Sequence, residues 1–244
     1  MPNPPSVEDV RMMSDEQERE VQKRKQEDLN RRVMDAFCKT GFMLRHLTQH
    51  RLGYPPPADM RQGAWGRKLE LLIQTIRVPG SIVALIGPRG TGKTQMACAA
   101  SHDIVSRKVE AGWNTGSCLY LRAYDLFMQL KATYGDGKQG DEGGVFLAAS
   151  SPALLVLDEV QVRNDSRWEG NCLTHLLDSR YGNCKSTILI SNLMLDEFIA
   201  SMGDSIMDRL TETGRIIVCD WPSFRGMYGE NPAVEGRTAK GQQA

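Results

Sequence analysis

Short apolar runs alternate with longer amphipathic stretches along this chain. The apolar runs predict five strands, at residues 82–86, 118–121, 154–157, 187–191 and 216–219. Helical spacing fills the gaps between them. A helix is expected from Lys93 to Ala111, ending near Gly112, and another over 124–133, where Leu126, Phe127 and Leu130 share a face. Further helices are expected over 170–181 and 195–212. Upstream of the first strand, Trp65–Ile76 places Leu69, Leu72, Ile73 and Ile76 on one side. Strands separated by helices predict a parallel sheet covered on both faces.

The flanking segments read differently. Residues 1–13 are polar and proline-rich and are expected to be disordered. Ser14 then opens a helical run, with Gln17 three residues on as a capping-box partner and Asp15, Glu16 and Glu18 in the first turn. Up to Leu29 that run is almost wholly charged, so it is solvated or docks on a partner. Beyond it the pattern turns amphipathic (Val33, Met34, Phe37, Phe42, Leu44, Leu47), with Gly41 as a break. Gly53-Tyr54-Pro55-Pro56-Pro57 marks a boundary. Residues 135–144, GDGKQGDEGG, read as a mobile glycine-rich loop, and the tail after Tyr228 as frayed. Residues 1–60 are therefore expected to form a helical N-terminal region, 61–228 the main α/β domain and 229–244 a disordered tail.

Composition adds limits. The 244 residues are 41% apolar and 25% charged with zero formal net charge, so a polyanion-binding surface must be a local patch. No apolar run is long enough to span a bilayer, and the N-terminus does not resemble a signal peptide. The six cysteines form no CxxC pair, and several sit in apolar segments, as expected of reduced thiols in a cytoplasmic protein. His46 and His50 could share a helix face, but they lack acidic or cysteine companions and read as surface histidines.

The chemistry concentrates at Ser81–Thr94, SIVALIGPRGTGKT. A buried strand runs into a loop with Gly87, Gly90 and Gly92, and a helix begins at Lys93. Backbone amides of Gly87, Pro88–Gly92 and Gln95, excepting the proline, and the helix N-terminus favour a bound polyphosphate. Pro88, Arg89 and Thr91 complete the loop. Lys93 would reach the β- and γ-phosphates, and the Thr94 hydroxyl would ligate Mg²⁺. The strand LLVLDE ends in Asp158 and Glu159. The first carboxylate belongs near the Mg²⁺ shell, directly or through water, and the second can polarise a water for attack on the γ-phosphate. That second acid separates hydrolysis from transfer to a small acceptor, for which an arginine-rich lid would be expected. Asn192 ends the next apolar strand, either at the same crevice or as simple turn chemistry. Arg209 and Arg225 could stabilise γ-phosphate charge, in the same chain or a neighbour's; a surface salt bridge is the alternative for each.

GPRGTGKT, LLVLDE, LLDSRYGNCKSTILISN, SIMDRL and VCDWPSFR, in that order, resemble the DnaC-like bacterial helicase loaders and their IstB-type transposition-helper relatives, which are AAA+ ATPases. The resemblance covers about residues 78–226. It implies an AAA+ P-loop core with a five-stranded parallel sheet in the order 5-1-4-3-2, and ATP with Mg²⁺ as ligands. It also implies roles: Lys93 and Thr94 as Walker A, Asp158 and Glu159 as Walker B, Asn192 as sensor 1, Arg209 as a finger for a neighbour's site and Arg225 as sensor 2.

The resemblance implies a short C-terminus, as in loaders of this type, and residues 220–244 are accordingly not expected to form the helical lid and DNA-binding domain of initiator proteins. In such loaders the N-terminal region grips a DnaB-type replicative helicase. The segment with Lys131, Tyr134 and Lys138 is where relatives contact single-stranded DNA, although Asp136, Asp141 and Glu142 interrupt it. The expected function is thus an ATP-hydrolysing helicase loader that self-associates through its ATP site. An IstB-type helper that activates a transposase and a non-hydrolysing nucleotide-dependent adaptor are the rival readings.

Overall fold

The structure, a computed structural model, describes residues 7–51, 63–112, 117–133, 141–161 and 167–224. In chain order its helices are α1 (Val7–Cys38), α2 (Leu44–Arg51), α3 (Ala64–Ile76), α4 (Lys93–Glu110), α5 (Ala123–Ala132), α6 (Glu142–Ser150), α7 (Arg167–Gly182), α8 (Leu195–Met202) and α9 (Asp204–Thr213). The strands are β1 (Ile82–Ile86), β2 (Cys118–Arg122), β3 (Leu154–Asp158), β4 (Ser186–Ile190) and β5 (Arg215–Val218). All strand pairs are parallel, in the order β2-β3-β4-β1-β5, which is the expected order read from the opposite edge.

Alternation along each strand divides the core. Val83 and Leu85 of β1, Val156 of β3, and Ile188 and Ile190 of β4 face α1–α4. Ile82, Ala84 and Ile86, with Leu155, Leu157 and Leu189, face α5–α9. β1, β3 and β4 are buried along their whole length, which is why they carry apolar runs, broken only by Asp158 at the end of β3 and Ser186-Thr187 at the start of β4. Their C-terminal ends lie side by side, with Leu85 in register with Ile190 and Leu157 with Leu189. That is the rim where an open parallel sheet binds ligands.

Three expectations change. α1 begins at Val7, so Ser14 lies inside the helix rather than at its cap, and residues 7–13 are helical rather than disordered. The last turns of α1 and the turn beyond join the sheet's own core: Val33, Ala36, Phe37, Phe42 and Leu47 are buried, whereas Leu44 is 74% exposed. The charged stretch from Gln17 to Asp28 is exposed throughout, as its composition requires. α6 occupies the end of the stretch read as a loop. The expected boundary at residues 53–57, Tyr134 and Lys138, and the tail from Arg225 onward lie outside the described residues.

Candidate nucleotide site

β1 ends at Ile86 and the chain turns through Gly87, Gly90 and Gly92, all at positive φ (125°, 86° and 80°). These angles are open to glycine at little cost and let the loop turn tightly, although the Gly87 amide, expected to face the phosphates, instead donates to Leu193 O. α4 starts at Lys93, directly after Gly92, so the positive end of its dipole lies at the loop. Lys93 is buried, and its Nζ donates to Gly87 O at 2.7 Å and Pro88 O at 2.8 Å. Its ammonium therefore spans the mouth of the loop. Thr91 Oγ1 closes the turn by donating to Pro88 O at 3.0 Å, while Pro88 and Arg89 are exposed at its tip.

At the end of β3, Asp158 is buried and fully engaged. Its Oδ2 accepts from Thr94 Oγ1 at 2.8 Å and from Tyr120 OH at 3.0 Å, and its Oδ1 from the Glu159 N–H at 2.8 Å. Burial, then the charge of Asp158, pushes the Tyr120 phenol well above its usual range, so it remains a donor. Glu159 has φ 56°, a left-handed conformation uncommon for a residue with a side chain. The strain is held in place by the next residue, whose Val160 N–H donates to Ile190 O at 3.1 Å. Gln161 Oε1 accepts from the Asn192 N–H at 3.2 Å and ties the loop after β3 to the loop after β4. Asn192 is half-buried at that rim, and Gly87 N–H donates to Leu193 O at 3.0 Å.

The loop is clamped from outside by residues near the chain's end. Trp221 Nε1 donates to Thr91 O at 3.0 Å and the Phe224 N–H to Gly90 O at 2.8 Å. Trp65 of α3 is buried beside Gly92, and its indole N–H has no acceptor among the described residues. Gln95 turns away from the loop: its Oε1 lies 3.0 Å from His46 Nδ1 of α2. His46 is half-buried rather than a surface residue, and burial holds its pKa below the usual 6.5. Burial likewise raises the Cys98, Cys118 and Cys219 thiols to about 12, so they are inert.

These groups fit a magnesium-bound nucleoside triphosphate. Thr94 and Asp158 offer adjacent hard oxygens, and Mg²⁺ takes only one or two protein ligands beside phosphate oxygens. The described residues hold no cluster of three or more His, Cys, Asp or Glu suited to a metal. The orphaned Trp65 N–H leaves a donor in reserve beside the loop.

Two expected residues sit elsewhere. Arg209 of α9 lies against α7: its Nε is 2.9 Å from Asp178 Oδ1 in an ion pair without hydrogen-bond geometry, and its guanidinium lies over the Tyr181 ring at 5.8 Å. Its Nη1 donates to Ser205 O and Oγ. Lys131 of α5 is paired with buried Glu169 at 2.7 Å and lies over the Trp168 ring. Arg225 is outside the described residues. Tyr120, Gln161 and Trp65 were missed by the sequence reading, because nothing in their spacing separates them from core or surface positions, and His46 was read there as a surface histidine. Trp221 and Phe224 lie within the quoted VCDWPSFR, where only the arginine was given a role.

Residues 67–227 match the family described as IstB-like ATP binding protein. The chain belongs to that family. Among its curated relatives, this IstB-like protein is 31% identical over 144 residues to YdaV of Escherichia coli (strain K12), covering 58% of this chain and 54% of YdaV. It is 26% identical over 149 residues to the replicative helicase loader DnaC of the same organism, covering 60% and 58%. It thus spans little more than half the length of the curated relatives it matches. The crystal structure of the DnaC helicase loader superposes with a TM-score of 0.56 at 22% identity, over 72% of this chain and 99% of that one. AMPPCP-bound DnaA from Aquifex aeolicus gives 0.52 at 20% identity, over 68% and 48%. The fold is the AAA+ P-loop core. No helix among the described residues is long and apolar enough to cross a membrane.

Proposed function

We propose that this protein is an ATP-hydrolysing helicase loader, which delivers a DnaB-type replicative helicase to single-stranded DNA and uses ATP as an assembly and release switch. The observation that carries the reading is the pairing of Thr94 and Asp158 at 2.8 Å beneath the Lys93 loop, with Glu159 next in the chain. It is supported by the similarity to the replicative helicase loader DnaC. Lys93 and the loop amides hold the phosphates, Thr94 and Asp158 the Mg²⁺, and Glu159 orients the attacking water. The cation supplies charge neutralisation at the phosphates. Asn192 reports the γ-phosphate, Arg209 serves a neighbouring subunit, and Arg225 acts as sensor 2. The exposed charged part of α1 is the candidate grip on the helicase.

ATP turnover by the full chain, with and without single-stranded DNA, tests the reading. Lys93→Ala should abolish ATP binding. Glu159→Gln should keep binding and lower turnover at least about 100-fold, the usual worth of a general base. An unchanged rate in Glu159→Gln, with no stimulation by DNA in the wild type, would leave a nucleotide-dependent adaptor instead. The IstB-like family match favours one second reading, a transposition helper. Capture of a transposase rather than a replicative helicase by the full chain would select it.

A further inference from the structure

β2 is an edge strand, yet its outer side is not open. The Tyr120 N–H donates to Thr40 O at 2.6 Å, so the turn between α1 and α2 supplies the pairing that the sheet lacks there. Phe42 packs its ring on the Tyr120 ring with centroids 4.5 Å apart. Between them Gly41 passes at φ 89°, and a Cβ at that position would lie 2.8 Å from Tyr120 O. Only glycine allows so close an approach. The other end of the same side chain reaches the metal-binding acid, since Tyr120 OH donates to Asp158 Oδ2. A second joint runs beside it, from His46 of α2 to Gln95, the residue after Thr94.

We propose that Tyr120 is a positioning residue for the Asp158 carboxylate, held in place by the Thr40–Phe42 turn, so that the N-terminal helices and Mg²⁺-nucleotide binding are coupled. The inference rests on the ATP-site reading above. Thr94 and Tyr120 share one carboxylate oxygen, but Thr94 is the hydroxyl that suits a cation. Tyr120 and the Glu159 N–H are then the donors that fix the carboxylate independently of the metal. Partners of this kind are worth 10–100-fold in metal affinity. Because the turn grips Tyr120 by backbone and ring together, a load on α1 that shifts Thr40 or Phe42 must also shift the phenol.

A fluorescent ATP analogue, titrated on the full chain with and without Mg²⁺, tests the proposal. Tyr120→Phe keeps the ring and its stack on Phe42. It should bind the analogue like wild type without Mg²⁺, need about tenfold more Mg²⁺ for half of the Mg²⁺-dependent gain, and unfold at the wild-type temperature. Phe42→Ala should shift the Mg²⁺ requirement in the same direction, and less than additively with Tyr120→Phe. A wild-type Mg²⁺ requirement in Tyr120→Phe would overturn the inference. So would an equal loss of affinity with and without Mg²⁺, which indicates only a folding role. A wild type that does not bind the analogue at all removes the ATP-site reading, and this inference with it.

Discussion

Arg180 is the bulkiest side chain wholly removed from water, and among the described residues it forms no ion pair with a carboxylate. Its guanidinium is satisfied by oxygens alone: Nε donates to Thr187 Oγ1 at 2.9 Å, Nη1 to the carbonyls of Ala149, Ser150 and Pro152, and Nη2 to Ser186 O. Burial lowers its pKa from 12.5 to about 10, so it is still charged at neutral pH. The planar fork joins α7, the end of α6 and the start of β4 at the end of the sheet opposite the ATP site. Arg180→Met fills most of the volume but leaves several buried carbonyls without a donor, at about 1–3 kcal/mol each. Its denaturation midpoint should fall by an amount worth about 3–5 kcal/mol. Arg180→Lys should recover little, because an ammonium cannot reach the same spread of acceptors. Such a residue is invisible in sequence, where an arginine between Ser179 and Tyr181 reads as a surface group. Lys93, Thr94 and Asp158 are legible for the opposite reason. A phosphate and Mg²⁺ site, as proposed above, would fix both their types and their spacing, and the structure brings Thr94 and Asp158 into contact.

At the scale of elements, the strands were legible because three of the five are buried from end to end, so that β1 is wholly apolar and β3 and β4 each carry an apolar run beside a polar end. α6 was not, since Gly143 and Gly144 lower helix propensity by about 1 kcal/mol each. Packing decides the matter: Phe146 stacks on His175 of α7 at 4.5 Å, and Val145 lies against the core. Both ends are also capped. Arg180 takes the carbonyls at the C-terminus, and Asp141 accepts the Gly144 N–H at 2.7 Å at the N-terminus. A Cβ on Gly144 would fall 2.0 Å from the Asp141 carboxylate, so the glycine that weakens the helix permits its cap. Asp141→Ala should destabilise α6 by about 1 kcal/mol. Hydrogen exchange should show faster amides at residues 142–150, with β3 and β4 unchanged. Equal acceleration across the sheet would mean that α6 and the core open as one unit.

For the whole molecule, the decisive fact is where Arg209 lies. One chain gathers Lys93, Thr94, Asp158 and Glu159 at the end of β1 and β3, while Arg209 packs on α7 with Asp178 and Tyr181. The Asp178 ion pair is the salt bridge that the sequence offered as the alternative for Arg209; the role proposed above in a neighbour's site requires this guanidinium to meet the transferring phosphoryl group of a second copy. Head-to-tail association of that kind gives each interface one loop and one arginine. Lys93→Ala and Arg209→Ala should therefore each lose turnover, for different reasons: the first cannot bind ATP, the second binds it without a finger. Mixed in equal amounts they should recover about a quarter of the wild-type rate, because about a quarter of interfaces then join an intact loop to an intact arginine. The rate should rise with protein concentration as subunits associate. Normal turnover by Arg209→Ala alone, with the mixture at about half the wild-type rate from that variant's own share, would return Arg209 to a structural role on the α7–α9 surface. Its removal would then be read in thermal stability and not in ATP hydrolysis.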